Sequence, residues 1–381
     1  MDDFELHQGL IGVADGRNQL NTPVLVLDLD ALDRNLTRMA KFAHAHGVAL
    51  RPHAKTHKSV EIARRQVSLG ALGVCCAKIG EAEVLADGGL DGLLITSPVV
   101  SASAVARLAA LNSRLSGLIV AIDNADNARS LAAAVGARGQ ALNVVIDVDP
   151  GIRRTGVASA DAAVELARVV AGLPALKLCG VQCYCGAQQH IEGYEERRAA
   201  TQERLQYLRS VVEALRGAGF SVDIVTGGGT GTHRIDVEER LFTELQVGSY
   251  AFMDGQYNAC VLAETDPSPF ETSLMVDARV VSVNAGPLVT VDAGFKAFST
   301  DAQPPKILDG APEAAGYAFM GDEHGALILR PGANARPSLG DRVSFSTPHC
   351  DPTVNLYDNY HVVSGDRLVG IWPVSARGRS R

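Results

Sequence analysis

Three clusters in the chain combine residue types that do chemistry. The first is Arg51-Pro52-His53-Ala54-Lys55-Thr56-His57-Lys58, a basic run closing an apolar stretch. On a strand, alternation puts Arg51, His53 and Lys55 on one face with Lys55 at the mouth. A lysine held among cations has a lowered pKa, and its amine can form a Schiff base with a carbonyl compound. A solvated basic loop is the other reading of these residues. The second is Thr226-Gly227-Gly228-Gly229-Thr230-Gly231-Thr232. Consecutive glycines let backbone N–H groups close on an anion, and the threonine hydroxyls add donors. Gly248-Ser249-Tyr250 offers a second small-residue turn. A Walker A motif is excluded, because no Gly-Lys-Ser/Thr follows. The third is Pro348-His349-Cys350-Asp351-Pro352. In an extended segment His349 and Asp351 point one way and Cys350 the other. Imidazole plus carboxylate suits Mn²⁺, Mg²⁺ or Zn²⁺, and two protein ligands leave positions open for water and substrate. A His–Asp hydrogen bond in a turn is the alternative.

Supporting candidates lie between these clusters. Arg154, in Asp149-Pro150-Gly151-Ile152-Arg153-Arg154-Thr155-Gly156, could hydrogen-bond a cofactor oxygen. Gln182 and Tyr184 share one face of a strand, and Gln189 and His190 follow it. An imidazole titrates near neutrality, so His190 is a candidate general base. Asp322-Glu323-His324-Gly325 reads as a polar turn that holds a metal, lines the site or only turns the chain.

The elements that must position these residues follow from periodicity. Val24–Leu27 reads as a strand, with Asp30 as N-cap of a helix through about Phe42. Further strands are expected near 49–55, 72–78, 92–96, 118–123, 142–149, 176–185, 222–226 and 244–252. Helices are expected near 58–69, 80–87, 101–113, 126–136, 159–172 and 193–218, with a short one near 233–241. Eight apolar strands with helical crossovers predict a (β/α)8 barrel. An open doubly wound sheet competes, but no G-x-G-x-x-G follows the first strand. Near Pro267 the rhythm changes to short β-type runs, near 273–280, 287–292, 326–329, 342–346 and 361–363. The expected division is a loose polar lead-in and strand (1–29) packing on the β domain, the barrel (30–265), and a C-terminal all-β domain (266–381).

Barrel active sites lie at the C-terminal strand ends, and phosphate sites use the loops after strands seven and eight. Lys55 ends the first barrel strand, the glycine loop ends the seventh, and Gly248 lies on the eighth. A cofactor with an aldehyde and a phosphate spans them. Pyridoxal 5′-phosphate has both, and serves as an electron sink.

Composition bounds the rest. The chain has 381 residues, 46% hydrophobic and 20% charged, with net charge −8. That is globular, with a sizeable core and no basic footprint for nucleic acid or anionic membrane. No uninterrupted apolar stretch is long enough to span a bilayer, and the acidic N-terminus lacks a signal-peptide core, so a cytoplasmic location is expected. The seven cysteines fit buried free thiols in a reducing compartment better than a disulfide framework.

Taken together, the stretches Arg51–Lys55, Gly73–Lys78, Arg154–Val157, Thr226–Gly231, Gly248–Asp254, Asp322–Gly325, His349–Thr353 and Ser375–Gly378 resemble the D-threonine aldolases and 3-hydroxy-D-aspartate aldolases. These are grouped with eukaryotic-type D-serine dehydratase among alanine-racemase-like pyridoxal phosphate enzymes. The resemblance runs from about Thr22 to Arg377. It implies a barrel plus β domain, a homodimer and Lys55 as the Schiff-base lysine. It implies the phosphate at Gly227–Thr230 and Gly248–Tyr250, and a divalent metal on His349 and Asp351. The dehydratase branch tends to carry His-x-Cys at the metal and the aldolase branch His-x-Asp; the third residue here is Asp351. The expected reaction is retro-aldol cleavage of a D-β-hydroxy-α-amino acid to glycine and an aldehyde. The substrate would be D-threonine, D-phenylserine or 3-hydroxy-D-aspartate. The rivals are a D-serine or 3-hydroxyaspartate dehydratase, a racemase (which needs a catalytic tyrosine, with Tyr317 and Tyr357 present), a non-catalytic cofactor carrier, and a metal-dependent barrel hydrolase.

Overall fold

The computed structural model describes residues 2–266, 268–330 and 336–381; Pro267 lies outside them. The chain divides into two compact units. One comprises residues 1–37, 249–259 and 270–377, the other 38–248, 260–269 and 378–381.

The chain opens with helix α1 (Asp3–His7), strand β1 (Val24–Asp28) and helix α2 (Leu29–His46). Residues 2–22 are structured rather than a loose lead-in. Asp2 and Glu5 form a capping box on α1, and His7 is buried. The cap of α2 is Asp28, whose Oδ1 accepts from the Ala31 N–H at 2.9 Å, and not Asp30, whose carboxylate accepts from Ser364 Oγ at 2.6 Å.

The barrel follows. Its strands are β2 (Ala49–Leu50), β3 (Cys75–Cys76), β4 (Leu94–Ile95), β5 (Ile119–Ile122), β6 (Leu142–Asp147), β7 (Leu176–Cys183), β8 (Ile224–Gly227) and β9 (Glu244–Leu245). They form one parallel sheet in the order β2-β9-β8-β7-β6-β5-β4-β3. The parallel His53–Cys75 bridge joins its two ends, with Ala54 N–H on Cys75 O and Cys75 N–H on Pro52 O, both at 2.8 Å. The expected (β/α)8 barrel is therefore the observed one. Val144, Val145 and Ile146 are fully buried, as strands covered on both faces require.

The crossovers are α3 (Val60–Ser68), α4 (Ile79–Asp87), α5 (Ala102–Asn112), α6 (Ala125–Gly136), α7 (Ala160–Ala171), α8 (Tyr194–Gly217) and α9 (His233–Glu238). Side chains of Ser59, Ser101, Asn124 and Ser159 accept from first-turn N–H groups of α3, α5, α6 and α7. Each such cap contributes about 1 kcal/mol. The strands expected to reach Lys55 and Phe252 lose regular pairing at Leu50 and Leu245. Pro52 has no N–H to offer a ladder, and residues 249–251 form a 3₁₀ turn.

The other unit adds α10 (Gly255–Asn258), β10 (Leu274–Ser282), β11 (Leu288–Val291), β12 (Ile307–Asp309), β13 (Gly316–Phe319), β14 (Gly325–Ile328), β15 (Arg342–Ser346), α11 (Cys350–Val354), β16 (Asn359–Ser364) and β17 (Arg367–Pro373). The sheet runs β13-β14-β11-β10-β1-β16-β17, with β15 pairing β10 and β12. The N-terminal strand β1 lies inside it, antiparallel to β10 and parallel to β16. Val24, Val26, Val363, Leu368 and Ile371 pack there as one buried cluster. Burying each aliphatic side chain contributes roughly 1.5–3 kcal/mol.

Candidate active site

Lys55 is half-buried, in the turn after β2. Its backbone N–H donates to His53 Nδ1 at 3.4 Å, and His53 Nε2 lies 3.1 Å from Thr96 Oγ1. Two of the neighbouring cations are paired with carboxylates. Arg51 is buried, and its guanidinium donates to both Glu244 carboxylate oxygens at 2.9 and 3.0 Å. Burial opposes its charge, but the carboxylate outweighs burial and holds Arg51 above its ordinary pKa. Lys58 is likewise buried in an ion pair with Glu81. Beside Lys55, the Thr56 hydroxyl is buried and has no hydrogen-bond partner. A Cβ on Gly248 would sit 2.6 Å from it, so only glycine leaves that hydroxyl its space.

The ends of β6, β7 and β8 lie in register, Asp147 beside Gln182 and Gln182 beside Thr226. Gln182 Nε2 donates to Asp147 Oδ1 and Thr96 O, both at 2.9 Å, and its Oε1 accepts from Gln246 at 3.2 Å. Gln246 also donates to Thr226 Oγ1 at 3.0 Å, and Thr155 Oγ1 to Asp147 Oδ2 at 2.7 Å. Burial pushes the Asp147 carboxyl above its ordinary value, against these hydrogen bonds. The Gln182 amide is thus fully used in ordering the strand ends. Arg154 is exposed, with its guanidinium 5.6 Å from the centre of the Tyr184 ring. His190 is exposed, just after the 3₁₀ turn Gly186–Gln188.

The glycine loop leaves β8 and enters α9. Gly228 has φ +70°, a conformation that favours glycine. A Cβ there would collide with Asp236 Oδ2, and one on Gly229 with Gln189 Oε1. Gln189 is wholly buried beneath the loop. Its Nε2 donates to Thr232 Oγ1 at 2.9 Å and its Oε1 accepts from Gly231 N–H at 3.0 Å. Gln189 therefore shapes the loop. Asp236, which the sequence reading did not single out, is part of the same buried group.

In the other unit Ser249 and Tyr250 are buried in the 3₁₀ turn. His349 is extended, but the helix α11 begins at Cys350, so residues 349–351 are not the extended segment the sequence suggested. The Cys350 N–H is held by Asp254 Oδ2 at 2.8 Å, and Pro352 falls in the first helical turn, where its missing N–H costs nothing. His349 and Asp351 still approach each other, with Nε2 and Oδ2 3.9 Å apart. His349 Nδ1 lies 2.7 Å from Asp301 Oδ2. A carboxylate accepts there, so Nδ1 carries a proton, and Nε2 is the ring nitrogen that faces Asp351. Cys350 is buried, its thiol 3.4 Å from Asp351 Oδ2, and burial pushes its pKa well up. Glu323, in the turn before β14, pairs with Lys296 on the surface. Tyr317 and Tyr357 donate their hydroxyls to the Ala293 and Ala297 carbonyls at 2.7 and 2.9 Å. All seven cysteines are free. Among the described residues no three His, Cys, Asp or Glu side chains gather as a ready-made cage, and none of the helices is long and apolar enough to cross a membrane.

These donor sets fit the two groups the resemblance implies. Lys55, the orphaned Thr56 hydroxyl and the glycine loop suit pyridoxal phosphate. His349, with its tautomer fixed by Asp301, and Asp351 suit a divalent ion.

A parallel barrel with a lysine at a strand end and a glycine loop at another defines an alanine-racemase-like protein. The model of the alanine racemase N-terminal domain matches residues 27–256, and that described as "Putative serine dehydratase domain" matches 273–363. The D-threonine aldolase of Arthrobacter sp. is 41% identical over 95% of this chain and 94% of its own. The 3-hydroxy-D-aspartate aldolase of Paracoccus denitrificans (strain Pd 1222) is 37% identical over 95% and 93%. The crystal structure of D-threonine aldolase from Filomicrobium marinum superposes with a TM-score of 0.91 at 38% identity, over 95% of this chain and 97% of that one. The chain belongs to the D-threonine aldolase and 3-hydroxy-D-aspartate aldolase family.

Proposed function

We propose that the protein is a pyridoxal phosphate- and divalent-metal-dependent aldolase that cleaves D-β-hydroxy-α-amino acids to glycine and an aldehyde. D-Threonine, D-phenylserine and 3-hydroxy-D-aspartate are the candidate substrates. The observation that carries the reading is the approach of His349 Nε2 to Asp351 Oδ2, with the intervening cysteine buried. When bound, the cofactor supplies an electron sink for the carbanion left at Cα, and the metal supplies a Lewis acid for the β-hydroxyl.

The chain's own residues have these roles. Lys55 provides the amine that the cofactor aldehyde bonds. Thr226, Gly227, Gly228 and Thr230, with Gly248, Ser249 and Tyr250, hold the phosphate, Gly229 shapes the same loop with its N–H on Asp236, and Arg154 and Tyr184 hold the ring. Gln182 and Gln189 support that set through the hydrogen bonds described. His349 and Asp351 bind Mn²⁺, Mg²⁺ or Zn²⁺. His190 is the candidate base for the β-hydroxyl proton; its exposure leaves it able to exchange that proton with water. One Cα–Cβ bond breaks, the hydroxyl proton leaves, and Cα takes a proton, so the reaction needs no oxidant.

The racemase reading is disfavoured because Tyr317 and Tyr357 spend their hydroxyls on backbone carbonyls. On the resemblance we assign a homodimer, and the seven free thiols support a reducing, cytoplasmic location. The test is Asp351→Ala. Most glycine formation and its dependence on added Mn²⁺ should both disappear; full activity of the variant in chelator overturns the metal assignment.

A further inference from the structure

We propose that Asp236 is a positioning residue for the cofactor phosphate, fixing through Thr232 and Gly229 which groups of the glycine loop face the anion. This rests on the reading of that loop as the phosphate site.

Asp236 lies on α9 and is 1% exposed. Its Oδ2 accepts from Thr232 Oγ1 at 2.6 Å and from Gly229 N–H at 3.3 Å. The Thr232 hydroxyl has one proton to give, and it receives a hydrogen bond from Gln189 Nε2 at 2.9 Å. The direction of the chain is therefore forced: Gln189 amide to Thr232 hydroxyl to Asp236 carboxyl. Gln189 Oε1 in turn accepts from Gly231 N–H at 3.0 Å. Two alternate N–H groups of the loop, those of Gly229 and Gly231, are thus turned into the protein. The donors for an anion must come from the remaining loop groups. His233, also buried, contacts the same loop, with Nδ1 2.8 Å from Thr230 O.

The Asp236 carboxyl also lies directly under Gly228, whose missing side chain leaves room for it. A loop of this composition would sample many conformations if unsupported, since glycine loses the most freedom on ordering. A buried, fully directed hydrogen-bond chain is the kind of support that fixes a binding site to one geometry. Burial pushes the Asp236 pKa up to about 7, so part of the population is the neutral acid at neutral pH, which reduces repulsion toward a phosphate.

The test compares the affinities of the cofactor-free full chain for pyridoxal 5′-phosphate and for pyridoxal. Both bond Lys55 through the same aldehyde, and the hemiacetal that free pyridoxal forms with its own 5′-hydroxyl is the same for every variant, so a change in the affinity ratio between variants reports the phosphate. The wild type should favour the phosphorylated form at least a hundredfold. Asp236→Ala and Thr232→Val should each cut that ratio at least tenfold and leave pyridoxal affinity within twofold. Asp236→Asn, which keeps an acceptor for Thr232, should retain most of the ratio. An unchanged ratio in both Asp236→Ala and Thr232→Val overturns the proposal, as does an equal loss of both ligands in both variants. A wild type that does not distinguish the two ligands overturns the phosphate reading itself.

Discussion

His349 and Asp301 are joined Nδ1 to Oδ2 at 2.7 Å, across 48 residues of sequence. On the proposed metal role, the contact leaves Nε2 of the imidazole as the atom that would bind the ion. Removing such a partner typically lowers metal affinity 10–100-fold. Asp301→Ala should therefore weaken Mn²⁺ binding about tenfold or more, read by calorimetric titration of the metal into the full chain. Unchanged affinity would remove Asp301 from the account.

Lys55 is the residue without which the proposed chemistry has no anchor. Lys55→Ala should bind no cofactor covalently, so borohydride should fix none to it, and should form no glycine from any D-β-hydroxy-α-amino acid. Turnover retained by this variant would end the assignment of Lys55.

The Arg51–Glu244 pair, with side chains 6% and 3% exposed, links β2 to β9. Arg51 also donates to the Gly92 carbonyl near the start of β4. Breaking a buried pair from one side leaves a charge with no partner and costs about 3–5 kcal/mol. Glu244→Ala should lower unfolding stability by that order in urea titration. A midpoint equal to the wild type would show that Arg51 finds other acceptors.

His7 Nδ1 and His361 Nε2 lie 2.8 Å apart in the N-terminal segment's packing against β16. Burial, and then the neighbouring His7, hold His361 at a pKa of about 4, below the ordinary 6.5. Below about 6.5 the unfolded chain takes the proton and the folded chain does not. The stability contribution is therefore complete above that pH and is lost as pH falls toward 4. Asp236 works in the opposite direction, its raised pKa costing stability as pH rises toward 7, but equally in wild type and variant. His361→Asn should therefore lose less stability between pH 7 and pH 5 than the wild type. Equal slopes would contradict the shift.

The residues legible in the sequence are those whose partners are near in the chain or whose backbone carries the chemistry. Lys55, the Thr226–Thr232 loop and the His349/Asp351 spacing could be read because type and spacing alone point to a function. Alternating barrel elements could be read for the same reason, since parallel strands are apolar throughout. Asp301 and Asp236 could not: one is an isolated acid in a polar turn, the other an acid in a short helix, and only folding brings them to His349 and to the glycine loop. The pairing of Arg51 with Glu244 was hidden likewise, which made the basic run look more cationic than it is. Strands β12 and β13 went unread because strands of three and four residues leave little alternation to detect, and β17, seven residues long, is broken up by Gly370 and ends on Pro373. The buried His7 shows the same limit, since its partner His361 lies 354 residues away.

Product analysis tests the central claim most directly. The protein would be incubated with D-threonine and with 3-hydroxy-D-aspartate, in Mn²⁺ and separately in EDTA. Glycine would be assayed against 2-oxo acid plus ammonia. Glycine and aldehyde in equal amounts, formed with Mn²⁺ and not in EDTA, are the predicted result, and the faster substrate would name the physiological class. A 2-oxo acid with ammonia would contradict the account and make the protein a dehydratase.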